Sequence, residues 1–126
     1  MFYRKYIEEA LKITRAFVYQ AVRSTVSPPE ESSAISRLVY EIFGGEILKT
    51  PVKNGWHFYN RIEGEFIDFA KSPINNFPEW DHYENLSSSP GETNNYFTEE
   101  DYSSFFIRFV SSYEEVVCLS GHKMIA

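Results

Sequence analysis

Between Trp56 and Ala70 the order of residues leaves the chain few choices. Two runs, Trp56–Ile62 and Glu65–Ala70, flank Glu63-Gly64. Each alternates between two sets of residues with period two, which is the mark of a strand with one buried face. Two such runs around a two-residue turn predict a β-hairpin. In that register Ile62 faces Glu65, Tyr59 faces Asp68 and His57 faces Ala70. One face then carries Trp56, Phe58, Ile62, Ile67 and Phe69, a core face. The other carries His57, Tyr59, Arg61, Phe66 and Asp68. A hairpin that only shields a core commonly shows solvated Lys, Thr and Glu on its outer side. A His, a Tyr, an Arg and an Asp together mark a candidate site.

The segments around the hairpin read as helices. Ile7, Leu11, Thr14, Phe17, Val18, Ala21 and Val22 recur at three- and four-residue steps, the helical period. Ser27-Pro28-Pro29-Glu30 fits a capping box with Pro28 at the first helical position, and a start near Ser32 or Ser33 is the alternative. Ala34, Ile35, Leu38, Val39, Ile42 and Phe43 form the apolar stripe of this second helix, which Gly44-Gly45 ends. Glu46–Lys49 is a first strand, and 51–55 a turn region. A last helix starts at Thr98, with Asp101 as capping partner, and runs through Phe109 to Val117. The spacing predicts an irregular loop over 71–96, long enough to be a binding loop or lid, and a flexible tail over 118–126. The order of elements gives a single α+β domain over residues 1–126. In it, two N-terminal helices and one C-terminal helix pack on a small antiparallel sheet.

Composition limits what such a domain can do. Aromatic residues make up 17% of the 126 residues and the net charge is −6. A chain so rich in Phe and Tyr buries a core and is not disordered. The acidic balance argues against a general nucleic-acid binder and leaves room for a local basic pocket. One cysteine, Cys118, excludes an internal disulfide. No apolar run reaches the length of a membrane span, and the start of the chain lacks a secretion signal, so a cytoplasmic protein without membrane contact is expected. His57, His82 and His122 lack ligand spacing, so neither a metal nor a cofactor is expected.

Two chemistries remain. His57 and Asp68 are diagonal neighbours on one face of the hairpin, and an Asp that orients a His is half of a nucleophilic triad. Ser32 and Ser33, near the start of the second helix, are the candidate nucleophiles, although serine there is also the ordinary capping choice. Alternatively, Arg61 on the hairpin and Arg108 on the last helix can hold phosphate through paired guanidinium donors. Tyr59, Phe66 and Phe77 offer faces on which a base can stack.

Three pieces of the sequence carry a resemblance: Phe43-Gly44-Gly45-Glu46-Ile47-Leu48, His57-Phe58-Tyr59-Asn60-Arg61-Ile62 and Ile67-Asp68-Phe69. Here the chain resembles the YunG-like family of small bacterial proteins, over about Ile7 to Phe77. The resemblance implies a papain-type arrangement, with a Cys at a helix start, a His on one strand and an Asp on the next. In this chain Ser32 or Ser33 stands where that Cys is expected. A second resemblance, in the hairpin and in the last helix from Asp101 to Val117, is to the phage Thoeris anti-defence protein one. It implies sequestration, without cleavage, of cyclic nucleotide or cyclic ADP-ribose signals at sites shared between protomers.

The expected function is therefore non-enzymatic binding of a small phosphorylated ligand by a homo-oligomer, in the host cytoplasm if a phage encodes it. His57, Tyr59, Arg61, Asp68, Phe77 and Arg108 are the expected binding residues. The alternative is a papain-like hydrolase, or an inactive relative, using Ser32 or Ser33 with His57 and Asp68.

Overall fold

The structure, a computed structural model, describes residues 4–22, 28–52, 55–70 and 83–125, with side chains described for 4–14, 31–52, 55–70 and 83–119. The chain divides into two compact units. Residues 1–25 and 100–126 make one, and residues 26–99 make the other.

The first unit holds two helices, α1 (Arg4–Val22) and α4 (Glu99–Ile125). On α1, Ile7, Ala10, Leu11 and Thr14 are buried on one stripe, as the three- and four-residue spacing requires. Thr14 hides its hydroxyl by donating to the Ala10 carbonyl at 2.7 Å. On α4, Tyr102, Phe109 and Ser112 are buried. Helix α4 reaches Ile125, so most of the expected loose tail over 118–126 is helical instead. Nothing from Val116 to Leu119 breaks a helix, and the backbone continues into the last residues.

The second unit is a four-stranded antiparallel sheet with helical cover, and the whole chain is α+β. Helix α2 (Pro28–Phe43) begins at the proline expected at its first position. It ends where Gly44, at φ +82°, turns left-handed and donates its N–H to the Tyr40 carbonyl, a glycine stop. Strand β1 (Glu46–Val52) follows, then β2 (Gly55–Ile62) and β3 (Glu65–Ile67). β1 is longer than Glu46–Lys49 because Thr50, Pro51 and Val52 pair with His57, Trp56 and Gly55, so part of the expected turn region is strand.

Residues 71–82 lie outside the described part of the expected irregular loop. The remainder, 83–96, is not structureless. It holds β4 (Leu86–Ser87), a one-turn helix α3 (Pro90–Thr93) and a 3-10 turn (Asn94–Tyr96). Ser89 caps α3 by accepting from the Glu92 N–H, and Pro90 follows at the first position. The strand order is β3-β2-β1-β4.

The hairpin has the register expected of it. Ile62 pairs with Glu65, Arg61 with Phe66 and Asn60 with Ile67. Glu63 and Gly64 both have positive φ, as a type I′ turn requires. β3 stops at Ile67, short of the expected Ala70, because Asp68 takes the Ala70 N–H onto Oδ1 at 3.2 Å. That side-chain turn bends the backbone out of the ladder. On β2, Phe58 and Ile62 are buried, as are Ile35, Leu38 and Val39 of α2, Ile47 of β1 and Ile67 of β3. The side of β2 that carries Asn60 is the side on which α2 lies, since Asn60 Nδ2 donates to the Ser36 carbonyl at 3.0 Å. Lys49 sits on that side too, where its ammonium lies over the Trp56 ring at 4.3 Å and pairs with Glu92 of α3 at 2.7 Å.

Candidate functional site

Strand alternation turns His57 and Tyr59 to the side of the sheet away from Asn60 and α2. There His57 Nε2 lies 2.7 Å from Asp68 Oδ2. The His57 side chain keeps 20% of its exposure and that of Asp68 keeps 1%. A buried carboxylate is costly unless its oxygens find donors, and among the described residues Asp68 finds three. Oδ2 faces His57 Nε2 and accepts the Tyr83 hydroxyl at 2.9 Å, while Oδ1 accepts the Ala70 N–H. With Nε2 engaged, Nδ1 is the ring's other polar edge. It accepts a proton when the ring is neutral and donates one when it is charged.

Residues 83–85 run across this face as a strap. Tyr83 bonds Asp68. Glu84 donates its N–H to Thr50 Oγ1 at 3.0 Å, and Tyr59 donates its hydroxyl to Asn85 Oδ1 at 2.6 Å. Asn85 holds the bend with φ +56°, a conformation asparagine tolerates. The Tyr59 and Tyr83 rings meet edge to face at 4.9 Å, and His57 lies 6.2 Å from Tyr59 and 6.1 Å from Tyr83. Burial pushes the Tyr59 phenol up to about 12; a backbone hydrogen bond with Asn85 opposes that rise, and the Asp68 charge adds to it. Tyr83 is pushed up as well, by burial first and then by the Asp68 charge and hydrogen bond. Both phenols therefore stay protonated and able to donate.

The other expected site residues are placed differently. Arg61 shares the His57 face, but its Nε is bonded to Glu46 Oε2 at 2.7 Å, directly across the strand pair, and its guanidinium lies 5.8 Å from the Phe66 ring centre. Arg108 is an exposed residue of α4, in the helical unit. Phe77 lies outside the described residues. Ser32 and Ser33 are both fully buried on α2. Ser32 Oγ accepts the Phe58 N–H at 3.2 Å, a backbone donor that β3 ends too early to reach. Cys118 is exposed on α4. Among the described residues no three His, Cys, Asp or Glu side chains gather as a metal would require, and no helix is long and apolar enough to cross a membrane.

The pairing of His57 with Asp68 follows from the hairpin register. Tyr83, Asn85, Thr50 and the Ala70 N–H do not. Their contacts depend on where a distant segment crosses the sheet, and only the cluster of aromatics before Asn85 hinted that this segment packs on something.

Fold and site together define a small α+β protein with a buried aspartate fixing a histidine on an adjacent strand. The chain belongs to the YunG protein family, whose model matches residues 23–112. It is 40% identical over 45 residues to the uncharacterized protein YunG of Bacillus subtilis (strain 168), a match that covers 36% of this chain and 39% of that protein. The chain thus aligns with well under half the length of this relative. No solved structure matches.

Proposed function

We propose that this chain binds a small phosphorylated ligand, of the cyclic nucleotide or cyclic ADP-ribose kind, on its His57 face and sequesters it uncleaved. The observation that carries the proposal is the His57 ring, partly exposed, tied through Nε2 to a buried carboxylate and flanked by two tyrosine rings. A ring so held presents one defined polar edge, and in its charged form that edge donates to an anion. Arg61 stands on the same face in an ion pair whose two side chains are 44% and 53% exposed. Such a surface pair is worth little, and a phosphate can replace its carboxylate. Binding without cleavage is supported by the burial of Ser32 and Ser33, since a nucleophile must be reachable by its substrate. As a sponge of this kind the protein acts as a homo-oligomer, an anti-defence protein of a phage working in the host cytoplasm. Ile107 and Leu119, 70% and 63% exposed on α4, offer apolar surface to a second copy.

The second reading is a papain-like hydrolase or its inactive relative, favoured by the 2.7 Å bond between His57 and Asp68. This reading requires Ser32 or Ser33 to reach Nδ1 from α2, which lies on the other side of β2. Thermal unfolding with cyclic nucleotides and cyclic ADP-ribose isomers tests both. A ligand at 100 times its dissociation constant adds about 2.7 kcal/mol, and the gain is expected to vanish in His57→Ala. No stabilisation by any of them overturns the sequestration proposal. The bound ligand is then released by heat and identified. Intact release supports a sponge, and an altered product supports the hydrolase.

A further inference from the structure

Among the described residues three donors converge on Asp68, and two of them share one oxygen. His57 Nε2 and the Tyr83 hydroxyl both meet Oδ2, at 2.7 and 2.9 Å, while the Ala70 N–H takes Oδ1. We propose that Tyr83 is a positioning residue for His57: by drawing on the same carboxylate oxygen, it limits the charge the imidazole receives and so sets the ring's protonation state and tautomer. The proposal rests on His57 being the ligand-facing group.

Tyr83 does not hang free. Its neighbours Glu84 and Asn85 are pinned to Thr50 and Tyr59, and β4, directly after them, pairs with Leu48 and Lys49 of β1. The hydroxyl is therefore delivered to Oδ2 by the anchored residues that follow it, Glu84 to Ser87. Among the described residues, the titratable groups facing Asp68 are His57 and Tyr59 from β2 and Tyr83 from the strap. Tyr59 donates its hydroxyl proton to Asn85, so among the described residues His57 and Tyr83 are the titratable groups that bond the carboxylate. A hydrogen bond to a charged acceptor is strong, and an oxygen that serves two donors gives each less than it would give one. Removing the Tyr83 hydroxyl leaves Oδ2 to His57 and strengthens the hold on the charged ring.

The test uses ligand-free protein and nitrogen-15 NMR of the His57 ring. In Tyr83→Phe, which keeps the aromatic ring, the midpoint of the His57 titration is expected to rise by about 0.5 pH unit, roughly threefold in proton affinity. An unchanged or lowered midpoint overturns the proposal, because a tyrosine that merely packs would leave it alone. A second measurement needs no variant. In the wild-type chain the carbon-13 signal of Tyr83 Cζ is expected to step at the His57 midpoint, since both groups read the same oxygen. A flat Tyr83 signal through that range refutes the coupling, even if Tyr83→Phe does not fold. Neither measurement involves ligand, so failure here leaves the sequestration proposal standing. Failure of the ligand screen leaves the coupling intact.

Discussion

Gly44 and Gly45 stand side by side with the same φ of +82° but with different surroundings. A Cβ added at Gly44 meets nothing within 4 Å. One added at Gly45 runs into the Arg61 carbonyl oxygen and falls 3.2 Å from Ile62 Cα and 3.3 Å from the Arg61 carbonyl carbon. These neighbours are backbone atoms of β2, placed where β1 begins and Glu46 pairs with Arg61. No side-chain rotation relieves the clash, and the strands must move apart. Gly44→Ala costs only the left-handed strain, about 1–2 kcal/mol. Gly45→Ala adds the cost of forced overpacking, about 1–3 kcal/mol, for a sum near 2–5 kcal/mol. Trp56 lies on β2, so tryptophan fluorescence during urea unfolding reads the affected sheet. Gly45→Ala is expected to be less stable than Gly44→Ala by at least about 1 kcal/mol. Equal losses in the two variants would refute the reasoning, because they would mean that strain alone matters and that the approach of β2 does not.

Other outcomes follow from the same contacts. Ser32→Ala strips the buried Phe58 N–H of its acceptor and is expected to cost about 1–3 kcal/mol in urea unfolding; a loss too small to measure would show that Ser32 does not close this strand edge. Tyr59 has its folded-state pKa raised from 10.0 to about 12, so its contribution is complete below pH 10 and is lost as the pH climbs through the folded value. Stability is expected to fall across that alkaline window and to fall less steeply in Tyr59→Phe; parallel pH curves would contradict this. Glu92 behaves in the opposite sense. Its hydrogen bond from Lys49, with another from Ser88, holds its carboxyl below the ordinary range, so that stability is present above the unfolded value and lost as the pH drops through the folded one. Lys49→Met is expected to flatten this acid limb with only a small change at neutral pH, and an undiminished acid slope would exclude the pair as its source.

Local rules carried the sequence a long way. The period-two runs and the Glu63-Gly64 turn were enough to place Ile62 opposite Glu65 and to put His57, Tyr59 and Asp68 on one side. Pro28 and Gly44-Gly45 marked both ends of α2 for stereochemical reasons that do not depend on the rest of the fold. What was not legible depended on long-range contact. Asn60 sits in the strand alternation as a core residue, buried with one amide group on the Ser36 carbonyl, and nothing beside it in the sequence announces that partner. The pairing of Arg61 with Glu46 was not legible because its cross-strand neighbour comes from a strand 15 residues earlier. The short elements at 86–96 escaped notice because two- to four-residue pieces have too few residues to show a period. They are held instead by Lys49 reaching Glu92 and by Arg37 bonding Asn94 and Glu99.

The hairpin ties correctness of the site to correctness of the core. A shift of β2 by one residue would exchange its two faces. Phe58 and Ile62 would turn toward the strap, and His57, Tyr59 and Arg61 would be driven against α2. Any misaligned form thus loses its apolar burial in the same step that separates His57 from Asp68. Mispaired molecules are then eliminated by their own instability, and the folded population carries an assembled His57–Asp68 pair without a separate mechanism to check it.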